Sequence, residues 1–194
     1  MTILDAAQAN PRQGGPSFSL SHRIGRLAWN AIWIAACSWG PVGGPFDAWR
    51  NGWLRLFGAK VHSTARVYGS ARIWWPRNLI LDEHATVGVG ANIYSMAMIH
   101  IRRHAIISQR AHLCAGSHAV DSEHFQLVAR PIVIEAWAWI AAEAFVGPGV
   151  IVGEGAVLGA RGVAFDSLRE WTVYRGNPAE AFKERKRFGQ VGIG

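Results

Sequence analysis

The densest polar run in the middle of the chain is Ser117-His118-Ala119-Val120-Asp121-Ser122-Glu123-His124, which sets two imidazoles and two carboxylates within eight residues. An imidazole titrates near pH 6.5, so it can take and return a proton under neutral conditions. A neighbouring carboxylate can fix which ring nitrogen carries that proton. His118 is the candidate base, and Asp121 and Glu123 are alternatives for the group that orients it; spacing does not choose between them. Neutral imidazoles also bind metals, and His100, His118 and His124 could converge on one ion with a position left open for water. A histidine in a polar loop is more often solvated than catalytic, so its setting decides.

That setting is a repeat. An aliphatic residue returns every sixth position through Val61, Val67, Ile73, then Leu81, Val87, Ile93, then Ile101, Ile107, Leu113, and after a gap Ile134, Ile140, Val146, Val152 and Leu158. Four positions after most of them stands a small residue, as at Ala65, Ala85, Ala105, Ala138 and Gly162. A period of six fits neither a helix nor simple strand alternation, and it is a signature of the parallel β-helix. Each hexad makes one short strand and one corner of a triangular coil, with the aliphatic side chain inward. Steps of 20 from Val61 to Leu81 and from Leu81 to Ile101 give coils with two extra residues at one corner, whereas Ile134 to Val152 is 18, three plain hexads. Arg77 and Val150 stand where a small residue belongs, so those corners are expected to open outward or bulge. Leu113 to Ile134 is 21 residues, 15 more than a hexad, so a loop leaves the prism there and carries the polar run. Loops on a rigid scaffold are where sites are commonly built.

The expected organisation is an extended arm and two capping helices over 1–58, a β-helix over 59–165 with a loop at 118–132, and a turn with a basic helix over 166–194. Ser19 or Ser21 can cap a first helix running through Ile24, Leu27, Ala28, Ala31 and Ala35 to Trp39-Gly40-Pro41. A second starts after Pro45, carries Trp49, Trp53, Leu56 and Phe57, and stops at Gly58. Five of the ten tryptophans lie between residues 29 and 53. The favoured reading is that these helices cover the open first coil, because a bare β-helix end templates aggregation. The alternative is an interfacial membrane anchor aided by His22, Arg23, Arg26, Arg50 and Arg55. From Leu27 to Cys37 only Asn30 is polar, and 11 residues fall short of the roughly 20 that span a bilayer. Trp74, Trp75, Trp137 and Trp139 sit at coil corners and are expected to face outward, toward a neighbouring subunit or a ligand.

Residues 1–19 show no signal-peptide pattern, and Cys37 and Cys114 read as reduced, buried thiols of a cytoplasmic protein. A net charge of +7 suggests an anionic partner or surface, but the basic residues are scattered and no nucleic-acid motif occurs. Phe182, Lys183, Arg185, Lys186 and Arg187 form the basic tail, either solvated or a clamp for phosphates.

The hexads, Ala115-Gly116-Ser117-His118, Trp139-Ile140-Ala141-Ala142, Val146-Gly147-Pro148-Gly149-Val150 and Gly176-Asn177-Pro178-Ala179 together resemble the hexapeptide-repeat acyltransferases, most of all their colanic acid biosynthesis acetyltransferase branch. The likeness extends to the Asn10-Pro11-Arg12-Gln13-Gly14-Gly15 arm and the Leu54-Arg55-Leu56-Phe57-Gly58-Ala59 lead-in. It implies a left-handed parallel β-helix, a homotrimer and active sites in clefts between prisms. Handedness and trimer come from the resemblance and not from spacing. It further implies acetyl transfer from acetyl-CoA to a hydroxyl of a sugar or lipid-linked glycan, with His118 at the catalytic position, no covalent enzyme intermediate and no metal. The coenzyme would lie beside Trp139, at main-chain groups near Ala142 and Ala160, with adenine near Pro178. Arg161, Arg175, Lys183 and Arg185 are candidates for its phosphates. Ser95 and His124 are candidates for the acceptor. Relatives that act on galactosides and maltose carry Asn-x-Asn where this chain has Gly88-Val89-Gly90, an acidic residue about where Ser95 stands, and many have a lysine near Phe165; those departures point to a different acceptor and to phosphate contacts moved to the tail. Two rivals share the prism: a zinc lyase like the gamma-type carbonic anhydrases, and a non-catalytic scaffold.

Overall fold

A computed structural model describes residue 12 and residues 15–187. Helix α1 (Leu20–Ile32) starts at Ser19, whose hydroxyl accepts the His22 amide at 3.4 Å, and runs on through one π-helical turn (Trp33–Cys37). Trp29, Trp33 and Cys37 recur every fourth residue and bury one side of it. The indole N–H of Trp29 donates to the Ile73 carbonyl at 2.7 Å and that of Trp33 to the Ala71 carbonyl at 2.8 Å, so the helix is pinned to the first coil by directed bonds as well as by area. A β-carbon on Gly69 would sit 2.5 Å from the Cys37 carbonyl oxygen; only glycine permits that approach.

Helix α2 (Pro45–Leu56) opens with Pro45 in its first turn and ends before Gly58, whose φ of 94° suits glycine. Its Arg50 is 1% exposed and donates to the carbonyls of Cys37, Trp39, Gly40 and Pro41 at 2.7 to 3.0 Å. Cys37 ends the continuation of α1 and the other three carbonyls follow it, a place where a cation is favoured. Arg50 is therefore an internal bracket between helices and is removed from the group of surface cations. Both helices lay their inward sides against the first coil.

The prism follows the hexads. Face one stacks β1 (Lys60–Val61), β4 (Leu79–Leu81), β7 (Ile99–Ile101), β12 (Ile132–Ile134) and β15 (Ile151–Val152). Face two stacks β2 (Arg66–Val67), β5 (Thr86–Val87), β8 (Ile106–Ile107), β13 (Trp139–Ile140), β16 (Val157–Leu158) and β18 (Thr172–Arg175), and face three β3 (Arg72–Ile73), β6 (Asn92–Tyr94), β9 (His112–Cys114), β14 (Phe145–Val146) and β17 (Val163–Ala164). The pairing within these stacks is parallel and in register, Val61 over Leu81 over Ile101 over Ile134 over Val152, so the aliphatic residues form buried columns. The chain is a left-handed parallel β-helix of about six turns.

Four local expectations change. Val150 turns inward and is buried, filling the core where the corner was expected to bulge. At Arg77 the corner does open outward, as a short 3-10 turn (Pro76–Asn78), but Trp75, expected outside, is buried with its ring against Gly25 of α1. The prism does not stop at residue 165, because Leu168 bridges to Val152 on face one and β18 adds another rung to face two. The basic helix is instead a strand, β19 (Glu180–Glu184), antiparallel to β18 after a turn at Gly176 and the cis Asn177–Pro178 bond. The last rung of a β-helix leaves a row of unpaired amides and carbonyls, and a returning strand satisfies them where a helix would not.

Cys37 is buried, and desolvation pushes its thiol up to about 11; Cys114 is half-buried, and both are free.

Candidate active site

The excursion between β9 and β12 is a hairpin, β10 (Gly116–His118) against β11 (Leu127–Ala129), paired Gly116 to Ala129 and His118 to Leu127. It leaves the prism at the corner between faces three and one. A β-carbon on Gly116 would collide with the Met96 sulfur, which accounts for glycine two residues before His118.

The Nδ1 atom of His118 lies 2.8 Å from the Phe125 carbonyl oxygen, and the two rings stack with centroids 4.4 Å apart. A carbonyl only accepts, so in the neutral ring Nδ1 carries the hydrogen and Nε2 keeps its lone pair. This is the state of a general base. Neither candidate carboxylate supplies the orientation: Asp121 is exposed, and Glu123 lies 3.4 Å from Nε2 of His124, itself exposed. No hydrogen bond or ion pair joins either to His118 among the described residues. The orienting group is main chain, set by Phe125 at a φ of 48°, and a backbone acceptor leaves no mark in residue types.

Within one chain His100, His118 and His124 do not converge. His100 pairs with Asp82 at 2.9 Å on face one, His124 turns to Glu123, and no group of three potential metal ligands occurs among the described residues. Ser95 is corrected as an acceptor contact: it is 0% exposed, and its hydroxyl accepts the Trp75 amide at 3.0 Å and donates to the Trp75 carbonyl at 2.9 Å.

The coenzyme candidates gather along another corner, on the coils that follow the hairpin. Ala142, Ala160 and Gly176 stack at the corner between faces two and three, with the Arg161 amide donating to the Ala142 carbonyl at 2.9 Å and the Val163 amide to the Gly176 carbonyl at 2.9 Å. Along this corner run Arg110, Glu143 and Arg161, all in the left-handed region. Glu143 accepts from Nε of Arg161 at 2.6 Å and from Arg110. Hydrogen bonds from those two guanidiniums hold its carboxyl below the ordinary range. Arg175 and Lys183 lie on the terminal hairpin with Pro178 at its turn, and the Arg175 guanidinium rests 3.7 Å over the Phe182 ring.

Trp139 faces outward from β13, as expected, and donates to Ser108 Oγ at 2.8 Å. With His84, His104, Ile106, Trp137 and Arg185 it borders a shallow hollow of about 400 Å³. His84, His104 and Trp137 occupy successive corner positions and stack ring on ring, 5.0 and then 4.0 Å apart. Arg185 donates to the carbonyls of Trp137 and Gly155 at 3.0 and 2.9 Å, so its guanidinium braces this corner. Tyr94, not anticipated from sequence, joins Trp74 and Arg26 beside the hairpin on face three: Arg26 lies 4.2 Å over the Trp74 ring, and Trp74 packs edge-on to Tyr94. The only sequence signal for Tyr94 is that it directly follows an inward hexad residue and so points out.

His118 and the coenzyme corner thus stand at different corners of one prism. Over 157 residues, 81% of this chain and 85% of the relative, the sequence is 42% identical to the Escherichia coli K12 protein named "Putative colanic acid biosynthesis acetyltransferase WcaF". The chain is a hexapeptide-repeat acetyltransferase. No protein-family model matches it. In fold, this acetyltransferase is similar to the hexapeptide-repeat acetyltransferase VCA0836 of Vibrio cholerae, solved with acetyl coenzyme A, at a TM-score of 0.74 and 21% identity over 87% of this chain and 91% of that one. It is also similar to a galactoside acetyltransferase solved with coenzyme A, at a TM-score of 0.74 and 18% identity over 96% and 92% of the two chains.

Proposed function

We propose that this acetyltransferase moves the acetyl group of acetyl-CoA directly onto a sugar hydroxyl during surface-polysaccharide synthesis in the cytoplasm, with His118 as general base. The observation that carries this reading is the hydrogen bond from His118 Nδ1 to the Phe125 carbonyl, which leaves Nε2 ready to accept a proton. As the hydroxyl oxygen bonds to the thioester carbon, its proton passes to Nε2. The tetrahedral oxyanion is met by main-chain N–H donors, then collapses with cleavage of the carbon–sulfur bond, and the imidazolium returns the proton to the departing sulfur. The proton balance closes on one imidazole, without a covalent enzyme intermediate.

Because His118 and the Ala142–Ala160–Gly176 corner are apart in one prism, the reading places each site in the cleft between two copies of a homotrimer. Arg161, Arg175 and Lys183 would face the coenzyme phosphates, and Trp139 the pantetheine side of the groove. The name of the relative and the coenzyme-bound neighbours support acetyl-CoA as the donor. Thermal unfolding of the metal-stripped protein, with and without acetyl-CoA and then with zinc, tests it. A ligand held only by the folded state at a hundred times its dissociation constant adds about 2.7 kcal/mol. A shift with acetyl-CoA is expected; a shift with zinc alone would overturn the reading in favour of the lyase.

A further inference from the structure

Helix α1 has two apolar sides. Trp29, Trp33 and Cys37 face the first coil. On the opposite side Leu20, Ile24, Leu27, Ala31 and Ile34 follow one another at spacings of four, three, four and three, which lines them up along a helix. Nothing among the described residues covers them: Leu20 is 68%, Leu27 70% and Ile34 69% exposed. Trp39, Trp49 and Leu56 extend the exposed apolar surface at the same end of the molecule. The indole N–H groups of Trp39 and Trp49 are already spent on the Ala35 and Ala36 carbonyls at 3.1 and 2.8 Å, so what these rings offer outward is hydrocarbon. Capping the prism accounts for the inward side of α1 and leaves this stripe unexplained.

The charge around the stripe selects its occupant. Between residues 6 and 46 there is no aspartate or glutamate, whereas Arg23 stands beside the stripe on the surface; Arg12 and Arg26 are turned to the Phe125 and Trp74 rings. The Nε of Arg26 is buried without a hydrogen-bond partner. A second copy of the helix would bring the same basic flank against its own, with no acid on α1 to answer it. A surface of lipid phosphates answers it directly, and the aliphatic stripe matches the boundary between headgroups and acyl chains. No helix of the described residues is long and apolar enough to cross a membrane, so the contact is peripheral.

We propose that α1 docks the protein on an anionic phospholipid surface, with Leu20, Ile24, Leu27 and Ile34 in the acyl boundary and Arg23 toward the phosphates. This placement is independent of the reaction assigned above.

The test is flotation of the full-length protein with vesicles of phosphatidylcholine alone and of phosphatidylcholine mixed with phosphatidylglycerol, at low and high salt. Binding to the mixed vesicles is expected to exceed that to the neutral ones by about tenfold and to weaken with salt. The Ile24→Gln/Leu27→Gln variant should lose about tenfold or more of it, with its thermal midpoint and assembled mass by sedimentation velocity unchanged. Arg23→Gln gives a second, milder test and should reduce the difference between the two vesicle types. Absence of vesicle binding by the wild type, or equal binding by wild type and double variant, overturns the proposal. A drop in assembled mass of the double variant also overturns it, by giving the stripe to a contact between copies.

Discussion

Nδ1 of His118 is held at 2.8 Å by the carbonyl of Phe125, seven residues along the same hairpin, and the ring of Phe125 lies flat on the imidazole. The imidazole is thus oriented by main chain and by stacking, not by a carboxylate. Asp121→Asn and Glu123→Gln should therefore each leave kcat within about threefold of wild type, against the losses of 10² to 10⁴ usual for removing a general base. Steady-state rates of both variants check this. A loss near the upper range in either would return the orienting role to that carboxylate.

Ser95 belongs to the folding of the corner at Trp75. Ser95→Ala removes one donor and one acceptor that serve the Trp75 backbone in a fully buried place, and it should cost about 1 to 3 kcal/mol of stability. Denaturant unfolding reads that cost. The KM for the acceptor should stay unchanged; a raised KM with unaltered stability would restore Ser95 as an acceptor contact.

Gly69→Ala tests how the helical cap is seated. Its new β-carbon would meet the Cys37 carbonyl and the Ser38 backbone within 2.9 Å, and backbone does not step aside as a side chain would. A loss of about 1 to 3 kcal/mol is expected, in the range of overpacked sites. An unshifted thermal midpoint would mean that α1 is not fixed to the first coil as described.

Glu143 carries a pH signature. Its folded carboxyl titrates below the ordinary value, so the contribution of the Arg110–Glu143–Arg161 ladder is present above the unfolded carboxylate pKa and is lost as pH falls through the lower folded one. The ladder lies at the surface and is screened by salt. Thermal midpoints of wild type and Glu143→Gln should therefore differ near neutral pH at low salt and converge in acid below the usual carboxylate range. A gap that persists or widens in acid would contradict this assignment.

The prism was legible because a stacked coil repeats its demands: every inward position needs an aliphatic side chain, and in-register pairing makes the period visible. The hairpin was legible as an interruption of that period, and His118 as the imidazole it carries. What escaped the sequence depends on atoms without residue identity or on distant packing. The partner of His118 is a carbonyl. The basic tail is a strand because β18 presented an unpaired edge, although Lys183, Arg185 and Lys186 suit a helix in isolation. Trp75 turned inward because α1 lies over it, a contact between residues about 50 positions apart that no local pattern encodes, and Ser95 is buried with it through its bonds to the Trp75 backbone.

The central claim rests on Nε2 of His118. The direct measurement is release of the coenzyme A thiol from acetyl-CoA by wild type and His118→Ala, over a panel of free, nucleotide-linked and lipid-linked sugars, with the thermal shift by acetyl-CoA recorded for both. The account predicts a sugar-dependent rate that falls by about 10² to 10⁴ in the variant, while the coenzyme still stabilises it. A variant that transfers acetyl to the same sugar at the wild-type rate would contradict it.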